Sequence, residues 1–62
     1  MEIVEIIGTV KAITDAAILV DDGDNDIWLP LSQIKIDKGE YMKGDDLVIE
    51  IPEWLAFEKG LT

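Results

Sequence analysis

The stretch Asp26-Ile27-Trp28-Leu29-Pro30-Leu31-Ser32-Gln33-Ile34 decides how the whole chain is read. Ile27, Leu29 and Leu31 alternate onto one side of an extended segment, and Trp28 points to the other. That pattern predicts the central strand of a small β-barrel. Pro30 has no amide to donate, so it belongs at an edge or where its strand stops. Ser32-Gln33-Ile34 suits a short turn, one 3-10 turn long, with the Ser32 hydroxyl on a nearby backbone amide.

Upstream of this stretch lies Asp21-Asp22-Gly23-Asp24-Asn25, a hairpin signal, because an Asp-Gly step between two apolar runs turns the chain without steric cost. Ala16–Val20 before it reads as a second strand, set off by a turn at Thr14-Asp15. Residues 2–13 read as one long first strand. Val4, Ile6, Gly8, Val10 and Ala12 form its inward set; Ile3, Glu5, Ile7, Thr9, Lys11 and Ile13 form its outward set. Gly8 marks a sharp bend or a close backbone approach.

Downstream, Lys35–Asp45 is a connection with strand character expected at Ile34–Ile36 and Glu40–Met42. Leu47–Ile51 is a fourth strand, with Leu47, Ile49 and Ile51 inward and Val48 and Glu50 outward. Pro52–Lys59 is the single helix, with Pro52 in the first turn, where its missing amide costs nothing. Gly60 and Leu61 are placed for a Schellman cap, Leu61 folding back on Leu55 or Ala56. A helix of two turns does not stand alone, so Trp54, Leu55, Phe57 and Leu61 must dock. The expected fold is mainly β: an SH3-like or OB-like barrel of four to five antiparallel strands with one short C-terminal helix. Residues 1–62 form one domain.

Composition narrows the function. The chain has 62 residues, no Cys and no His. Its core is small for its surface and has no disulfide to supplement it. Zn sites built on Cys or His, and every His-based triad, are excluded. Fourteen acidic residues against five lysines leave a net charge of −9. Such a surface repels phosphate backbones and anionic membranes and attracts basic partners; it also keeps an apolar small domain soluble. The longest apolar run, Ala16–Val20, is far short of the ~20 residues of a membrane span. The acidic start Met1-Glu2-Ile3-Val4-Glu5 is unlike a signal peptide, so the expected compartment is the cytoplasm.

Three places invite a functional reading. The acids Asp21, Asp22, Asp24 and Asp26 carry hard oxygen ligands, but their spacing does not match a calcium loop, and turn geometry explains them. Trp28 could stack a nucleobase as aromatics of OB folds do. With no Arg and little basic charge nearby, it is instead expected under the C-terminal helix against Trp54 or Phe57. Tyr41, interleaved with Lys35, Lys38 and Lys43, could touch a single strand; the alternative is a solvated loop with Tyr41 or Met42 anchored in the barrel mouth. No catalytic residue and no cofactor is expected: Ser32 has no base, and the carboxylates lie in exposed turns.

The words W-L-P-x-S-Q-I (Trp28 to Ile34) and P-E-W-L-A (Pro52 to Ala56) resemble a group of small, mostly uncharacterised bacteriophage and prophage proteins. Members are often met beside replication and recombination genes. A Lys usually stands in that group where this chain has Leu31. The resemblance implies a phage-like DNA-metabolism setting and no catalytic residue. The leading expectation is a non-enzymatic interaction module acting through protein contacts, with Trp28, Trp54 and Phe57 as anchors, a protein partner that is basic, and scope for a homo-oligomer. The alternatives are a weak OB-type single-strand binder using Trp28 and Tyr41, and an acidic DNA mimic that blocks a nucleic-acid channel.

Overall fold

A computed structural model describes residues 2–61. Five strands and one helix follow in order: β1 (Ile3–Ile13), β2 (Ala17–Asp21), β3 (Asp26–Pro30), β4 (Lys35–Ile36), β5 (Asp46–Pro52) and α1 (Glu53–Glu58), with a 3-10 turn at Leu31–Gln33 between β3 and β4. All pairings are antiparallel, in a single sheet of order β3-β2-β1-β5-β4. The sheet is open. β3 and β4 form its two edges, with no ladder between them among the described residues.

β3, the strand expected at the centre, is therefore an edge strand. The centre belongs to β1, which pairs with β5 along Ile3–Thr9 and with β2 along Thr9–Ile13. A strand of 11 residues serves two neighbours in this way only if it coils, and Gly8 sits where it does so. A Cβ on Gly8 would run into Cγ1 of Val20 and would lie 3.0 Å from the Asp21 carbonyl oxygen. The missing side chain lets β2 cross close over β1.

The inner face holds Val10, Ile18, Val20, Ile27, Leu29, Leu47, Ile49 and Ile51, all buried. Leu55 and Ala56 of α1 close this core, and Val4, Ile6, Leu31, Ile34, Ile36, Tyr41 and Leu61 pack around its rim. Burying each large aliphatic side chain removes it from water at a gain of about 1.5–3 kcal/mol. The alternation of β5 follows expectation, with Leu47, Ile49 and Ile51 inward.

β1 departs from simple alternation at one point. The register slips between Val10 and Ala12, so that Ala12 faces Leu19 and Ile13 faces Ile18. Paired residues share a face, so this bulge sets Ala12 on the outer side and Ile13 on the inner side of the ladder, the reverse of the alternating assignment, although at the strand's end Ile13 stays 45% exposed. Glu40–Met42 is not a strand. It leads into a turn in which the Asp45 amide donates to the Met42 carbonyl (3.0 Å) and the Gly44 amide to the Val10 carbonyl (2.8 Å).

Pro52 closes β5 and caps α1 from outside, so the helix proper starts at Glu53. The Glu53 amide, an orphan of the first turn, donates to the Glu2 carbonyl (2.9 Å). At the other end Gly60 adopts φ +75°. Its amide donates to the Phe57 carbonyl (3.1 Å) and the Leu61 amide to the Ala56 carbonyl (2.8 Å), the paired bonds of a Schellman motif. The 3-10 turn has Pro30 at its N-cap and no side-chain cap bond, so the Ser32 hydroxyl does not cap it.

Candidate interaction surface

Ladder parity places the indole of Trp28 on the outer face of the sheet. Trp28 faces Leu19, which faces Ala12, so one apolar strip runs Trp28–Leu19–Ala12 across three strands. On one side of it lie Pro30 and Ala17, paired across β3 and β2. On the other side is an acidic row: Asp26 of β3 opposite Asp21 of β2, then Thr9 of β1 opposite Asp46 of β5. The Thr9 hydroxyl donates to Asp46 Oδ1 (2.6 Å).

α1 closes the opposite, inner face and packs mainly on β5 and β1. Trp28 is consequently not packed under the helix against Trp54 or Phe57, contrary to expectation, and its side chain is 45% exposed. The register puts Trp28 level with Ala12 at one end of β1, while α1 follows Pro52, which faces Ile3 at the other end. Trp54 and Phe57 sit three residues apart on one side of α1, 50% and 75% exposed. They form a second apolar surface, separate from the Trp28 strip. The anchors expected together thus occupy two places.

Tyr41 is half-buried and packs on the core rim, whereas Met42 is exposed. Both line an open groove of about 600 Å³ together with Ile13, Lys38 and Asp45. Lys38 Nζ lies 3.3 Å from Asp45 Oδ2, and the same oxygen accepts the Met42 amide (3.0 Å). That amide, and secondarily Lys38, holds the Asp45 carboxyl below its ordinary value. Of the three lysines interleaved with Tyr41, Lys38 is thus paired with a carboxylate. Ile13 reaches this groove because of the β1 bulge, a contact that periodicity does not reveal.

The hairpin acids shape the β2–β3 turn. Asp22 Oδ1 accepts the amides of Asn25 (2.8 Å) and Asp24 (2.9 Å), and Asp21 Oδ1 that of Gly23 (2.9 Å). Gly23 has φ +105°, a conformation that a residue with a Cβ seldom takes. The amides of Asn25 and Asp24 hold the Asp22 carboxyl below its ordinary value. Among the described residues no group of three or more Asp, Glu, His or Cys is arranged to hold a metal ion, and no charged side chain is buried. Among the described residues no helix is long and apolar enough to cross a membrane.

The chain matches no protein-family model, no curated protein and no solved structure.

Proposed function

We propose that this chain is a non-enzymatic interaction module of SH3-like or OB-like type, acting through protein contacts in a phage-like DNA-metabolism setting. The observation that carries this reading is the exposure of both indoles, 45% for Trp28 and 50% for Trp54. The core is closed by aliphatic residues and needs neither ring. Large aromatics held at a surface are the usual anchors of protein interfaces. Trp28 stands on the sheet and Trp54 on the helix that Leu55 and Ala56 fix to its core.

The nucleic-acid alternatives have weaker support. Asp26 and Asp21 stand beside the Trp28 strip, where a stacked strand would bring its phosphates. The test is capture of protein from a host lysate on immobilised chain, beside variants Trp28→Ala and Trp54→Ala. The reading expects a discrete partner retained by the native chain and lost with at least one variant. A labelled single strand should show no anisotropy change at low salt. Binding of that strand, with no protein captured, would overturn the reading.

A further inference from the structure

The backbone of β3 is half used. In the β2–β3 ladder the Leu31 amide donates to Ala16 (2.9 Å) and the Asp22 amide to Asn25 (3.1 Å). The bonding pairs of an antiparallel ladder alternate, so Leu29 and Ile27 exchange bonds with Ile18 and Val20. Asp26, Trp28 and Pro30 then turn their main-chain groups away from β2, and β3 is an edge. Two N–H groups and three carbonyls face outward along this strand, beside the exposed indole of Trp28.

Building on the protein-contact reading, we propose that the β3 edge takes an extended basic segment of a partner protein by antiparallel strand addition. Open edges template such pairing. Charge selects the occupant. Asp26 lies directly opposite Asp21 on the outer face. Among the described residues the one ion pair, Lys38–Asp45, lies elsewhere. A second copy would bring another −9 chain and another acidic tip against this edge, a repulsion that disfavours self-pairing. An added strand with Lys or Arg opposite Asp26 removes the like-charge conflict. Two residues along, on the same face, the position opposite Trp28 suits an apolar side chain or an Arg over the indole. Pro30, with no N–H, ends the ladder. The recognised segment is therefore about five residues long, with its cationic and apolar positions two apart on one face.

The test separates strand addition from simple charge attraction. The probe is a capped heptapeptide, Thr-Lys-Thr-Val-Thr-Lys-Thr, whose Lys and Val side chains lie two apart on one face, titrated at low salt and followed by amide NMR, with the same peptide carrying Glu for Lys as control. The expected result is a shift and slowed exchange of the Asp26 and Trp28 amides with the Lys peptide and none with the control. A chemically synthesised chain with a methyl group on the Trp28 backbone nitrogen keeps the indole and every β2–β3 bond. It loses one edge donor and gains a steric block, so the Lys peptide should bind it about tenfold more weakly or worse. Equal affinity for the methylated and native chains overturns strand addition. So does a response confined to the hairpin acids, no response at all, or a dimer in solution that methylation dissolves. The protein-contact reading has its own readout: if the methylated chain still captures the lysate partner and Trp28→Ala does not, that reading stands while strand addition falls.

Discussion

Val20 occupies the space above Gly8: its Cγ1 lies where a Cβ on Gly8 would have to go, with the Asp21 carbonyl oxygen 3.0 Å from the same point. This contact is where the sheet coils, because β1 exchanges its partner from β5 to β2 within one residue of it. Gly8→Ala therefore overpacks a buried crossing, which costs about 1–3 kcal/mol. Urea unfolding should show the loss in the midpoint. In a Val20→Ala background the same substitution should cost less, since the side chain it meets is shorter. Additive costs in that cycle would mean that the two residues do not conflict.

Leu29 and Trp28 are neighbours with opposite roles. Leu29 is fully buried and Trp28 is 45% exposed. Leu29→Ala should cost about 2–5 kcal/mol, the range for large-to-small changes in a core. Trp28→Ala should cost well under half of that, and partner capture should fall all the same. A Trp28→Ala chain that melts as early as Leu29→Ala would place the indole in the fold rather than at an interface.

Much of this fold is legible in apolar spacing. β5 alternates without interruption, and Gly60-Leu61 after a short amphipathic run marks the helix end that the structure has. What spacing does not carry is the order of strands. The Asp26–Ile34 pattern is that of any half-buried strand, central or edge, and its neighbours are set by where β1 coils. A bulge is equally silent: one extra residue at Lys11 moves Ile13 to the inner side, into the groove with Tyr41. The site was legible as residue types but not as a place. Trp28, Trp54 and Phe57 stand out in the chain, yet only the register shows them at two ends of β1 rather than together.

The hairpin should respond to acid through Asp22. Its carboxylate accepts two main-chain amides, and the pKa lies below the ordinary 3.8. A depressed folded-state value contributes stability that is fully present above the unfolded value and is lost as pH falls through the folded one. The Asp24 and Asn25 amide shifts should thus stay constant down to about pH 4 and then titrate with a midpoint below 3.8. Asp45 should behave alike, reported by the Met42 amide that it accepts. A midpoint above 3.8 at either site would contradict the bonding.

Gly60 at φ +75° lets the chain reverse so that Leu61 can pack on the core rim. Gly60→Ala forces a Cβ into the left-handed region, at about 1–2 kcal/mol. Nothing lies within 4 Å of that Cβ, so the cost is conformational rather than steric. Leu61→Ala keeps the turn but removes its apolar contact. The two should destabilise separately, and helical circular dichroism should fall further for Gly60→Ala.

Asp26 and Asp21 set stability against recognition. Like charges directly opposite on a sheet destabilise it, and no cation in the described chain is paired with either. Asp26→Asn should raise the melting temperature by about 1–5 °C at low salt. The gain should shrink at 1 M salt, where the Debye length is only about 3 Å. The same variant removes the carboxylate expected to meet the partner's Lys or Arg, so the Lys-Val peptide should bind it more weakly while still shifting the Trp28 amide. A residue that costs the fold and helps the contact moves the two readouts in opposite directions. If Asp26→Asn leaves stability unchanged at low salt and peptide affinity intact, the acidic row is ordinary solvated surface, and the basic character assigned to the partner has no residue behind it.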